Sequence, residues 1–294
     1  MNLPIVPITD MVIKDKNLIV ATQGRSIWMI DDLSVIHQAK IGQDLNQNIL
    51  FDPMDAYRMR GGQGRTSLTN GQNHKGGVSL NYYLGSVTDS SVVKLRFIEE
   101  DGDLIKEFSS ASKEKGESLK FEKGANTFNW NLRYEGGKDF EGMILWWASL
   151  QGPRAVPGTY YVQLEVDGDV QKESFELIND PRVEASQDAL EQQFDFLNDI
   201  LKEVSAAHEA IVDIRSVRKQ LNAYKSRIKD KAGMEAIVEE IDMINKKMLS
   251  IEENLYQTKN RITFRESQSK LLVCFAMNYS SMRLRLSAKV SLMS

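Results

Sequence analysis

Ala155-Val156-Pro157-Gly158-Thr159-Tyr160-Tyr161-Val162-Gln163-Leu164-Glu165-Val166-Asp167-Gly168-Asp169-Val170 decides how the rest of the chain is read. Pro157-Gly158 makes a turn, because proline presets φ and glycine accepts a positive φ. Tyr160, Val162, Leu164 and Val166 then alternate with Tyr161, Gln163 and Glu165, the period of a half-buried strand. Asp167-Gly168 supplies a tight hairpin turn, and Val170 to Ile178 returns beside the first strand. This is the closing hairpin of a two-layer β fold.

The same period recurs upstream. Val78 to Leu84, Ser91 to Ile98, Leu104 to Phe108, Ser118 to Glu122 and Ala125 to Leu132 join the two strands of the hairpin as candidates. Asp101-Gly102 closes a second hairpin. Val93, Leu95 and Phe97 alternate with Lys94 and Arg96, and Phe128, Trp130 and Leu132 with Asn129 and Asn131. Short strands of this kind over about 100 residues, each with one apolar face, predict an immunoglobulin-like or fibronectin-like β-sandwich across residues 78–180.

On the N-terminal side, Met11-Val12-Ile13, Leu18 to Thr22 and Ser26 to Ile30 read as three short strands. Asp15-Lys16-Asn17 and Gln23-Gly24-Arg25 are the turns between them. Three strands with nothing to pack on do not make a stable sheet, so residues 1–40 require neighbours. Residues 41–77, rich in Gly, Asn and Gln, have the composition of a linker along a domain boundary.

On the C-terminal side, Asp180-Pro181 ends the sheet, with Ser186 as N-cap of a helix and Asp188 in its first turn. Leu190, Phe194, Leu197, Leu201, Val204, Ala207, Ile211, Ile214, Val217, Leu221, Tyr224 and Ile228 follow at spacings of three and four. After the break at Lys229 to Gly233, Ile237, Ile241, Ile244, Met248, Ile251 and Leu255 resume the pattern. Residues 184–260 are therefore expected to form an antiparallel helical hairpin with a coiled-coil-like seam. The first helix, at roughly 40 residues, would be about 60 Å long and outrun the second. Leu190, Phe194, Leu197 and Leu201 then need cover from another helix, the β region or a second chain, and are the expected surface for self-association.

Residues 261–294 change character. Glu266 is the lone acidic residue, and Met282, Leu284, Leu286, Ala288, Val290 and Leu292 alternate with basic and serine residues. A shifted reading frame is the leading account of this tail. An edge strand and a basic functional tail are the alternatives.

The totals exclude several classes. A net charge of −4 gives no electrostatic reason to expect nucleic acid. The single Cys274 rules out an internal disulfide and a cysteine metal cluster. His37, His74 and His208 lack ligand spacing, so neither metal nor cofactor is expected. No apolar run approaches the roughly 20 residues of a membrane span. Met1 to Pro7 has no signal-peptide pattern, so the chain as written is expected to stay where it is made.

Val20-Ala21-Thr22-Gln23-Gly24-Arg25-Ser26-Ile27-Trp28-Met29-Ile30-Asp31-Asp32-Leu33 resembles the last blade of the large bacterial sortilin-like, BNR-repeat β-propeller proteins, often called glycosyl hydrolases. Asp55-Ala56-Tyr57-Arg58-Met59-Arg60-Gly61-Gly62 resembles the linker after that propeller. Gly142 to Pro153 and the Pro-Gly-Thr-Tyr hairpin resemble its sandwich module. The resemblance implies a terminal propeller-blade remnant at 1–40, then the sandwich and the helical hairpin. It implies that the parent protein is exported, to the periplasm or beyond, and that the remainder of a propeller is a partner.

Propeller chemistry of the sialidase type gathers arginines, a nucleophile with its base, and an acid from several blades. One blade cannot supply them, and no catalytic residue is assigned. The expected function is a non-catalytic accessory region supporting glycan or protein binding. One alternative is a part of a BNR-repeat glycoside hydrolase whose active site lies on the missing propeller; another is a protein-interaction module working through the helical hairpin. The candidate ligand-binding residues are the adjacent Trp146 and Trp147, whose faces suit the apolar side of a pyranose, and Arg25. The simpler readings, which the pattern favours, are that one tryptophan packs on the sandwich and the other on the propeller or linker, and that Arg25 is a solvated turn residue. Asp101-Gly102-Asp103 and Asp167-Gly168-Asp169 have too few ligands for calcium and read as turns.

Overall fold

The structure is a computed structural model that describes residues 5–39, 44–59, 61, 75–114, 116–145 and 148–256. The atypical tail at 261–294 and parts of the expected linker, 41–43, 60 and 62–74, lie outside the described residues. The chain is mixed α and β, with several sheets, one of them a curled half-barrel, and a long helical hairpin. It divides into two bodies: residues through Asp139 with Ile144–Val204, and Phe140–Met143 with the residues from Ser205 onward.

In the first body, strands β1 (Ile8–Lys14), β2 (Asn17–Thr22) and β3 (Ile27–Ile30) form an antiparallel sheet in that order. Asp15 and Lys16, both at positive φ, make the turn between β1 and β2. A short helix, α1 (Ser34–Gln38), and two-residue strands β4 (Ile49–Leu50) and β5 (Ala56–Tyr57) follow. The sequence pattern did not show β4 or β5, because two residues carry no period. β4 pairs antiparallel with β6 (Val78–Leu84) and β5 runs parallel to the end of β11 (Asp169–Ile178), and a side chain also ties β4 in place. Gln171 accepts a hydrogen bond from the Leu50 amide at 2.7 Å and donates one to the Asn48 carbonyl at 2.6 Å.

Six longer strands complete this body: β6 (Val78–Leu84), β7 (Val93–Glu99), β8 (Leu104–Ser109), β9 (Gly124–Trp130), β10 (Gly158–Val166) and β11 (Asp169–Ile178). One sheet has the order β5-β11-β10-β7-β8, the other β4-β6-β9. The β10–β11 hairpin closes at Val166 opposite Asp169, with Asp167 and Gly168 both at positive φ. That geometry is the primed turn whose twist matches the strands it joins.

Alternation decides the faces. Val78, Leu80, Tyr82 and Leu84 of β6 and Val93, Leu95 and Phe97 of β7 are buried. So are Trp130 of β9, Val162 and Leu164 of β10, and Phe175 and Leu177 of β11, and all join one core. On the outer face Arg96 bridges Glu107 at 2.6 Å and Glu165 at 2.5 Å. Ser118 to Glu122, expected as a strand, is not one: Ser118 makes a single bridge to Ser109. The Asn126 side chain takes both the amide and the carbonyl of Glu122, so neither is free for a ladder.

The last element of this body is the start of α2 (Gln187–Ile228). Ser186 caps it, its hydroxyl accepting from the Ala189 amide at 3.3 Å. Leu190 is buried, and the Phe194 ring meets Tyr134 edge-on at 4.6 Å. The β body thus covers the first two residues of the stripe left without a partner in the sequence, while Leu197 is exposed.

In the second body, the part of α2 from Ser205 onward lies antiparallel to α3 (Glu235–Leu255), after a break at Gly233 with positive φ. The seam differs from the expected one. Ile211, Ile228 and Ile241 are buried, but Val217, Tyr224, Ile237, Ile251 and Leu255 are exposed. Polar contacts join the two helices beside the seam and, at Glu252, within it. Asn222 accepts from Asn245 at 3.0 Å, and Lys225 meets Asp242 at 2.5 Å. Glu252, 3% exposed, is held by Arg215 at 2.7 Å and Arg218 at 2.8 Å. Hydrophobic spacing alone cannot see this one-residue rotation, because charged pairs compete for the same seam. Among the described residues no helix is long and apolar enough to cross a membrane.

Candidate functional site

Of the sequence-derived ligand candidates, Trp146 and Trp147 lie outside the described residues. Arg25 sits in the turn between β2 and β3 with its side chain exposed. Its carbonyl accepts from the Trp28 indole at 2.8 Å, so its backbone serves the turn.

The first body instead holds an open cleft of about 450 Å³. It lies at β8 and β9, each the edge strand of its sheet. The β7–β8 register shifts between Phe97 and Ile98, so that Ile98 opposes Leu104 and Phe97 opposes Lys106. A bulge re-aims the side chains beyond it. Before that shift the ladder is regular, and Lys106 opposite Phe97 and Phe108 opposite Leu95 lie on the side of those buried residues, at the cleft. Phe108 and Phe128 face one another with ring centroids 4.7 Å apart. With Tyr134 they give the cleft an aromatic wall.

Polar groups form its rim. Lys106 pairs with Glu135 at 3.2 Å. Arg133 donates to the Gly152 carbonyl at 2.6 Å, and its amide donates to Asn131 at 3.1 Å. Asn129 donates to the Gly76 carbonyl at 3.0 Å, while its side-chain oxygen is buried without a hydrogen-bond partner. A Cβ on Gly152 would stand 2.2 Å from the Tyr134 carbonyl oxygen, so only glycine admits this approach of the two backbone segments.

Tyr134 ties the wall to the core. Its hydroxyl donates to Glu99, and burial first, then that bond, push its pKa well above the ordinary tyrosine range. Burial likewise raises Tyr160, whose hydroxyl donates to the Val156 carbonyl, to about 12.

This arrangement can stack a flat apolar face against aromatic rings and hydrogen-bond its edge. Among the described lining residues Glu135 is the single carboxylate, and Lys106 holds it. Among the described residues no group of three or more His, Cys, Asp or Glu is placed to hold a metal ion. The Asp167 carboxylate accepts from the Val92 amide at 2.7 Å, a bond that lowers its pKa.

Sequence reading missed the cleft because it counted Phe128 as core. The available signal was Asn129 and Asn131 alternating with Phe128 and Trp130, an amide row on what would otherwise be an ordinary outer face. No family model, no curated protein and no solved structure matches the chain.

Proposed function

We propose that this chain is a non-catalytic accessory region of an exported β-propeller protein, supporting glycan or protein binding. In this reading the β1–β3 sheet is the terminal blade. The two sheets around Trp130 are an immunoglobulin-like sandwich, and α2 with α3 is the helical hairpin.

The observation that carries the reading is the state of the β1–β3 sheet. Met11 is 64% exposed, Ile13 63%, Ile27 70% and Met29 56%. Registers Met11–Val20–Trp28 and Val12–Ile19–Met29 place apolar residues on both faces. A sheet with one wet face would be polar there. Apolar groups on both faces call for β layers on both sides, as a propeller blade has. The test is expression joined to the coding sequence upstream of Met1. Protection of residues 8–30 from hydrogen exchange is expected to rise when that sequence is present. Unchanged exchange contradicts the reading.

The cleft favours glycan over protein as ligand, because aromatic faces beside amide and guanidinium groups suit a pyranose. The hydrolase alternative places its active site on the missing propeller, so the cleft does not bear on it. Hydrolysis in the cleft itself would need two carboxylates flanking one glycosidic bond, and Glu135 alone lines it among its described residues. Calorimetric titration with a glycan panel tests this reading. Binding without turnover is expected; turnover lost in Glu135→Gln contradicts it.

A further inference from the structure

The helical hairpin carries an apolar side that the seam does not use. On α2 the groups facing α3 include Arg215, Arg218, Asn222 and Lys225. Val217 and Tyr224 each stand one residue before such a position, and both are exposed. On α3 the inward groups include Ile241, Asn245 and Glu252, while the exposed Asp242 reaches Lys225 from the rim. Ile244 and Ile251 stand one residue before Asn245 and Glu252, and Ile251 is 53% exposed.

One residue is a rotation of about 100° at 3.6 residues per turn. Because the two helices run antiparallel, a step back on each turns toward the same side of the pair. Val217, Tyr224, Ile237 and Ile251 therefore share one face. The opposite side is the one Phe140 occupies, its ring meeting His208 and Tyr256 edge-on at 5.0 Å and Arg215 at 4.8 Å.

We infer that this face docks a second copy of the chain, completing an antiparallel four-helix bundle about a two-fold axis parallel to the helices. Two apolar faces meeting in this way make the core of such a bundle. The flanking charges choose the copy and the axis. The contacts Lys225–Asp242 and Asn222–Asn245 set the level of one helix against the other. At that registry Arg227 of α2 stands level with Glu240 of α3, and Gln220 with Lys247. A two-fold axis parallel to the helices lays α2 of one copy along α3 of the other at the same levels. It pairs Arg227 with Glu240 of the second copy, twice per dimer. An axis perpendicular to the helices through Gln220 would set Lys247 against Lys247 of the second copy, a like-charge contact that disfavours it.

The test is the mass of the full chain in solution by light scattering across a concentration series. A dimer is expected. Ile251→Glu is expected to abolish it with helicity unchanged, because Ile251 is exposed within one chain. Arg227→Glu and Glu240→Arg are each expected to weaken the dimer about tenfold, and the double exchange to restore it. A monomer at all concentrations overturns the inference. So does a dimer insensitive to these substitutions, which would form through another surface. So does a monomer whose Lys247 cross-links to Lys270 or Lys289 of its own chain, which would put the terminal segment on this face.

Discussion

Trp130 lies on Phe97 with ring centroids 4.4 Å apart and planes 20° from parallel, joining β9 of one sheet to β7 of the other. Tyr160 and Phe175 meet the same indole edge-on at 6.2 and 6.3 Å. Three strands of the five-stranded sheet thus converge on one side chain of its neighbour. Trp130→Ala is expected to cost about 4 kcal/mol, the range for a buried aromatic replaced by alanine. Denaturant unfolding followed by fluorescence of the remaining tryptophans measures it. A loss below about 1 kcal/mol would mean that the two sheets are held together elsewhere.

Glu252 is the second critical contact, and a polar one. With its carboxylate removed, Arg215 and Arg218 face each other half-buried and uncompensated. Glu252→Ala is expected to destabilise the hairpin by about 3 kcal/mol, as breaking a buried pair does. Replacing Glu252, Arg215 and Arg218 together by Leu, Met and Met should recover most of that loss, because no charge is then left buried. Thermal melts read by helical ellipticity decide between these outcomes. A single variant as stable as the parent would show that the pairs contribute nothing.

The buried tyrosines set the alkaline limit. Tyr82 and Tyr160 are both raised by burial from about 10 to about 12. A group that ionises later in the folded chain stabilises it in full below the unfolded value and loses that contribution as pH rises through the folded one. Stability should therefore fall between about pH 10 and pH 12, with tyrosinate absorbance rising in step. Tyr82→Phe should narrow that loss. Ionisation of every tyrosine near pH 10 without unfolding would contradict the burial of these two.

Asp180 sets an acid limit of the opposite sign. Arg182 grips its carboxylate through two bonds, of 2.8 and 2.7 Å, and holds its pKa at about 2. That contribution is present above about pH 4 and lost as pH falls toward 2. Arg182 is largely exposed, so the effect is small. Asp180→Asn should flatten the acid limb slightly, and an unchanged limb would show that the pair contributes nothing.

The strands of the β body were legible because alternation is a local signal. Val78–Leu84 has the same bounds in the sequence pattern and in the structure, and Ser186 caps its helix as read. What escaped was non-local. Strands β4 and β5 exist through partners far along the chain, including Gln171, and no window contains both. The hairpin seam rotated because Asn245 and Glu252 find partners on α2, and apolar spacing carries no information about ion pairs. The cleft depends on β8 and β9 being the edge strands of two different sheets, which the period of neither strand shows.

The most direct test of the accessory reading is hydrogen exchange of the intact chain alone. Amides of Met11–Ile13 and Ile27–Ile30 are expected to exchange well ahead of those of Val93–Phe97, although both sets lie in antiparallel ladders. The reason is that the first sheet has apolar faces without cover, and opening it locally costs little. Equal protection of the two sets would mean that the β1–β3 sheet is complete as it stands, and would contradict the account.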